Sequence, residues 1–72
     1  MSEPVVRVGQ VWADNDKRAQ PNRRLRVVEM LPNGAVCEVF YEGVPAVDKP
    51  RRVAVMLRRF RPNSTGYRLV SE

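Results

Sequence analysis

The sequence predicts a small all-β fold of five strands, with one short helical turn before the last strand. The strands either close into a barrel or remain a strongly bent meander sheet. Three observations lead there. Helical periodicity of useful length is absent from the 72 residues. Six prolines and four glycines divide the chain. The pieces between them are roughly five to nine residues long, rich in Val with Tyr, Phe and Trp added, which is strand-and-turn punctuation.

Val5 to Ala13 reads as the first strand, with Val6, Val8 and the pair Val11/Trp12 as its apolar positions. Gly9 marks a bend or bulge that shifts the alternation. Asp14 to Asn22 is polar or small throughout, with turn formers at both ends, and makes a long first loop. Arg23 to Leu31 is the second strand, with Leu25 and Val27 on one face. Leu31-Pro32-Asn33-Gly34-Ala35 is the clearest local signal in the chain. An Asn-Gly two-residue turn would set Glu29 opposite Glu38, like charge against like. A three-residue loop, with Pro32 first, Asn33 second and Gly34 left-handed, separates them. Leu31 then faces Ala35, Glu29 faces Cys37, Val27 faces Val39 and Leu25 faces Tyr41.

The third strand is therefore Ala35 to Glu42. Gly43 to Pro50 is a second loop, excluded from a strand interior by Pro45 and Pro50. Arg51 to Leu57 is the fourth strand, carrying Val53, Val55 and Leu57 on one face. Arg58 to Asn63 reads as a single helical turn that stops at Pro62. Ser64-Thr65-Gly66 is a turn, and Tyr67 to Val70 is a short closing strand. This order resembles the five-stranded Src-homology-3 type of small barrel. A barrel hides its edges, which suits a chain too short for a two-sheet sandwich. Residues 1–72 are expected to form one domain, with 1–4 flexible. Its core is modest, so its stability margin is roughly 3–5 kcal/mol.

Cys37 is the single cysteine, so no internal disulfide forms, and a reducing compartment suits the chain. Met1-Ser2-Glu3-Pro4 has no apolar h-region, and the longest apolar run, Val53 to Leu57, is far short of a membrane span. The expectation is a soluble, cytoplasmic protein with no membrane partner, in the host cytoplasm if phage-encoded.

The residues argue against catalysis. There is no histidine, hence no triad, imidazole base or histidine metal site. Cys37 lies mid-strand with no partner in its own segment to lower its pKa, and reads as a small core residue. Asp14 and Asp16 lack the glycine and terminal glutamate of a calcium loop. Asp14 caps the turn instead, and Asp16 pairs with Arg18 or a neighbouring arginine. No glycine-rich phosphate loop is present. No enzyme activity, metal or cofactor is expected.

Charge carries the functional reading. The net charge is +5, the pI about 10.4, and all the cations except Lys17 and Lys49 are arginine. A GC-rich genome accounts for part of the arginine preference but less well for the excess positive charge. The arginine fork grips phosphate or carboxylate and stacks on bases, which suits nucleic acid or an acidic protein. Strands two and four run in the same direction, so Arg23/Arg24 and Arg51/Arg52 are expected to converge at one end. Lys17, Arg18 and Lys49 arrive from the preceding loops, Arg26 continues strand two, and Arg58, Arg59 and Arg61 lie in the helical turn. Tyr41 and Tyr67 are amphipathic: each offers a surface to stack on a base or anchor a peptide, and each reads equally as a rim-of-core residue. Trp12 is either a core plug or the floor of a binding groove. The alternative to a patch is a solvated surface paired with Glu29, Glu38, Glu42 and Asp48. The expected partner is nucleic acid, or alternatively an acidic host protein that the chain binds and modulates; a structural component of a larger assembly is a third reading.

The stretch Val8-Gly9-Gln10-Val11-Trp12-Ala13-Asp14-Asn15-Asp16-Lys17-Arg18, followed by Leu25-Arg26-Val27 and Gly66-Tyr67-Arg68-Leu69-Val70, is similar to a group of small actinobacterial and actinobacteriophage proteins. The pattern of that group is roughly a V-x-G-x-V-W-x-D-x-D-x-R start, then an R-x-V strand, then a G-Y-x-L-V end. The resemblance covers most of the chain and implies a stand-alone domain of phage or actinobacterial origin. It carries no activity and assigns no site residue.

Overall fold

Alternating apolar and polar residues, interrupted by Gly and Pro, give five strands in a computed structural model that describes residues 5–62 and 66–72. They are β1 (Val11–Asp14), β2 (Arg23–Leu31), β3 (Gly34–Tyr41), β4 (Arg52–Met56) and β5 (Tyr67–Ser71), with a 3-10 turn at Leu57–Arg59 before β5. All pair antiparallel in one sheet of order β4-β3-β2-β1-β5. No ladder joins β4 to β5 among the described residues, so the sheet is open, and the closed barrel is not formed. The chain leaves β4 through the 3-10 turn and sends Phe60 into the core at 1% exposure. A side chain, rather than a closing ladder, covers the apolar face there. The expected flexibility of 1–4 and the expected turn residues Ser64 and Thr65 lie outside the described residues.

Strand β1 starts at Val11, later than the expected Val5. Gly9 has φ +97°, and Gln10 N–H donates to the Arg7 carbonyl at 3.2 Å, so the extended run breaks there. Val5 and Val8 are consequently exposed, while Val6 packs against the core. The helical turn begins at Leu57, one residue earlier than expected.

The β2–β3 hairpin departs from the expected register. Pro32 and Asn33 alone form the loop, Leu31 pairs with Gly34, and Val28 is bulged out between Val27 and Glu29. Val27 then faces Cys37 and Leu25 faces Val39. Beyond the bulge this is a slip of two residues from the expected pairing, and an even slip keeps every side chain on its expected face. Glu38 sits opposite Arg26 and Glu29 opposite Val36, so the two glutamates are kept apart by another route.

Gly34 is not left-handed either; positive φ occurs only at Gly9 and Gly43 among the described residues. A Cβ on Gly34 would lie 2.6 Å from the Val55 carbonyl oxygen. Glycine is required there because the β4 backbone comes too close for any side chain. Gly34→Ala is expected to cost about 1–3 kcal/mol, read as a lowered urea midpoint. Gly34→Asn, which a left-handed site tolerates, is expected to be at least as damaging.

The core lies on one face of the sheet. Leu25 and Val27 of β2, Ala35, Cys37 and Val39 of β3, and Val55 of β4 meet Trp12, Phe60 and Tyr67. Trp12 packs edge-on to Phe60 at 4.9 Å between ring centroids, and Phe60 lies 5.7 Å from Tyr67. Gln10 is the buried polar hub beneath them. Its Oε1 accepts from Trp12 Nε1 at 3.2 Å and Arg7 N–H at 2.8 Å, while its Nε2 donates to the Val5 carbonyl at 2.9 Å. Gln10→Leu strands the buried indole N–H and is expected to cost about 1–3 kcal/mol, measured by chemical denaturation.

Cys37 is fully buried, as expected of a core residue, and burial pushes its thiol up from the ordinary 9.0 to about 11. Native protein is therefore expected to resist alkylation at neutral pH, whereas denatured protein reacts. The folded thiol holds its proton where the unfolded one has lost it, so stability is expected to fall as pH rises from 9.0 towards about 11. A pH series of melting curves on native protein and Cys37→Ala checks this; the alanine variant loses that component.

Candidate nucleic-acid interface

Adjacent strand residues point to opposite faces, and this rule splits the expected basic patch. Arg23 falls on the face of Leu25 and donates to Asp14 Oδ2 at 2.9 Å. Arg24 falls on the outer face, where its guanidinium meets Glu42 at 2.7 Å and its Nη1 donates to the Pro21 and Arg23 carbonyls. Its Nε is buried and has no partner among the described residues. Arg23 and Arg24 therefore do not converge with Arg51 and Arg52 as one surface. Arg23 and Arg24 brace the start of β2 instead.

Two further cations are engaged locally. Arg52 lies across the sheet from Glu38 at 3.3 Å. Arg18, 88% exposed, pairs with Asp16 at 3.0 Å, the partnership expected from sequence. The Arg18 side chain, followed by the Arg18 backbone N–H, holds the Asp16 carboxyl at about 2. Any stability from this pair is present above the usual carboxylate pKa of 3.8 and is lost as pH falls through about 2. Solvent screens so exposed a pair, so little is at stake. Asp14 also accepts the Asp16 N–H at 2.9 Å, the expected turn cap.

Arg26 behaves differently. On the outer face its guanidinium stacks over the Phe40 ring, 4.9 Å from the centroid. It makes no hydrogen bond or ion pair among the described residues. The stack lines a groove of about 540 Å³ formed where the 44–50 segment folds along β3. Arg26, Glu38, Phe40, Tyr41 and Arg51 line its β-sheet side, and Val44 to Asp48 with Pro50 line the other. Lys49 sits on that loop between two lining residues. Tyr41 is 37% exposed here, whereas Tyr67 is 6% exposed and belongs to the core. Trp12, at 1%, is a core residue and not a groove floor.

Of the expected site residues, the groove unites Arg26, Arg51 and Tyr41, with Lys49 and Arg52 at its margins. Arg23, Arg58 and Arg59 line a separate cleft by Tyr67, over whose ring Arg59 lies at 5.7 Å. Lys17, Arg18 and Arg61 line neither. Phe40 was not singled out from sequence, although an aromatic residue out of phase with the core positions Val39 and Cys37 is a legible signal.

The outer face thus presents a flat cation on an aromatic ring, further cations beside it, and two carboxylates inside the groove. No helix among the described residues is long and apolar enough to cross a membrane. The chain matches no family model, no curated protein and no solved structure.

Proposed function

We propose that this protein is a non-enzymatic binding module that takes single-stranded nucleic acid across the outer face of its sheet. One observation carries the reading: the Arg26 guanidinium is stacked on Phe40 with its donors uncommitted, in the lining of a groove that Arg51 also lines. An arginine plane accepts an unstacked base on its open face, and its N–H groups reach the adjoining phosphate. Arg51 and Lys49 supply further phosphate contacts. Glu38 and Asp48, which would repel a phosphate, accept N–H donors from a base edge instead. A duplex keeps its bases stacked and cannot use this groove, so single strands are preferred.

The test is fluorescence anisotropy with a labelled oligo-dT and a labelled duplex over a salt series. Log affinity for the single strand is expected to fall with log salt at a slope of about −2, as for roughly three neutralised phosphates. No binding at about 50 mM salt, or a flat slope, would sink the proposal.

A further inference from the structure

We propose that the open seam between β4 and β5 docks an extended acidic peptide of a partner protein, which adds to the free edge of β4 as a further strand. The hydrogen-bond phase of the β3–β4 ladder shows which groups are free. Val39 N–H donates to the Arg51 carbonyl at 2.7 Å, and Leu57 N–H donates to the Asn33 carbonyl at 3.0 Å. With the pairing Cys37–Val53 and Ala35–Val55 between them, the odd-numbered residues of β4 bond to β3. Arg52, Ala54 and Met56 therefore turn their N–H and C=O groups outward, and β5 does not take them up.

Edge strands are ordinarily blunted by proline, a bulge or a charge. Val53 to Met56 has none of these, and its register with β3 is unbroken. Such an edge is a template for strand addition, in which main-chain bonds give affinity and neighbouring side chains give specificity.

Charge selects the occupant. The seam holds a cleft of about 240 Å³ lined by residues 53–56 with Arg23, Arg58, Arg59 and Tyr67, and no acidic side chain lines it. Asp14 is the carboxylate bound to Arg23, and it stands outside that lining. Arg58 has no partner among the described residues, and Arg51/Arg52 and Arg58/Arg59 bracket the two ends of the edge. A second copy is disfavoured, because antiparallel β4–β4 pairing sets one arginine pair against the other. Nucleic acid lacks the alternating N–H and C=O groups that this edge would match.

The experiment uses a fluorescein-labelled decapeptide of alternating Glu and Val, the same peptide N-methylated at alternate amides, and labelled oligo-dT. Proline at 54 removes an outward donor and leaves the β3 ladder intact, so Ala54→Pro is expected to melt close to the native protein. The unmodified peptide is expected to bind. N-methylation is expected to weaken it about tenfold or more, as loss of two or more main-chain hydrogen bonds requires, and Ala54→Pro, which removes one, about fivefold. Arg58→Glu, away from every ladder bond, is expected to weaken it at least about threefold and serves if Ala54→Pro does not fold. Oligo-dT binding is expected to survive Ala54→Pro, so failure here is distinguishable from failure of the groove. Absence of peptide binding, equal binding of the N-methylated peptide, displacement of the peptide by oligo-dT, or a dimer that Ala54→Pro dissolves would each overturn the proposal.

Discussion

Trp12→Ala is expected to leave the chain largely unfolded at room temperature. Trp12 is the largest fully buried side chain. Its ring carries Phe60, the residue that substitutes for a closing ladder, and its indole N–H is fixed by Gln10. Removing so large a buried ring costs about 3–5 kcal/mol, part of it from the cavity left behind. The whole margin of a domain this size is roughly 3–5 kcal/mol, so nothing is left over. Circular dichroism should show loss of the native spectrum, and urea titration should show no cooperative transition. Trp12→Phe keeps the aromatic stack and strands only one lone pair of Gln10, so it should fold with a lowered midpoint. A Trp12→Ala variant with a native-like urea midpoint would contradict the packing described here.

Arg26→Glu is expected to abolish oligo-dT binding. The substitution removes a cation that lines the groove, a stacking plane, and the donors proposed to meet phosphate. Base stacking alone is worth about 1–3 kcal/mol, or roughly ten- to a hundredfold in affinity, before the phosphate is counted. Glutamate at 26 also faces Glu38 across the ladder, a like-charge pair that costs up to about 1 kcal/mol of stability. Arg26→Gln avoids that penalty and should still bind at least about tenfold more weakly than the native chain. Arg26→Lys separates charge from stacking. It should keep the salt slope, because the cation remains, yet lose about tenfold in affinity, because an ammonium has no plane. If lysine restores full affinity, the Arg26–Phe40 stack has no part in recognition, and the site is a diffuse cationic surface.

Both predictions depend on features that differ in how far they can be read from the chain. The strands are legible because alternation and Gly/Pro punctuation are local properties: β2 ends where Pro32 forbids its continuation, and β4 starts just after Pro50. The pairing of Asp16 with Arg18 is equally local, two residues apart on one loop. The division of Arg23 from Arg24 follows from strand geometry alone, since neighbours on a strand cannot share a face. An expectation of convergence that treats such neighbours as one patch overlooks it.

The rest needed partners that are distant along the chain. The Val28 bulge, and with it the placing of Arg26 opposite Glu38, depends on how β3 settles against both β2 and β4. Gly34 looks like a turn glycine, but its requirement comes from a carbonyl on Val55, which only the β3–β4 pairing delivers. Gln10 looks like an ordinary polar residue of a first strand until Trp12, Val5 and Arg7 surround it.

By itself the sequence determined an all-β chain with five strands, a helical turn before the last, and a surplus of arginine. Those are consequences of side-chain branching, ring constraints and charge, which each residue carries wherever it sits. The tertiary structure decided that, among the described residues, the sheet stays open and β4 keeps a free edge, and that Arg26 stacks on Phe40 in the lining of a groove. Each of these is a relation between segments far apart in the chain, set by packing and ladder register rather than by any residue alone.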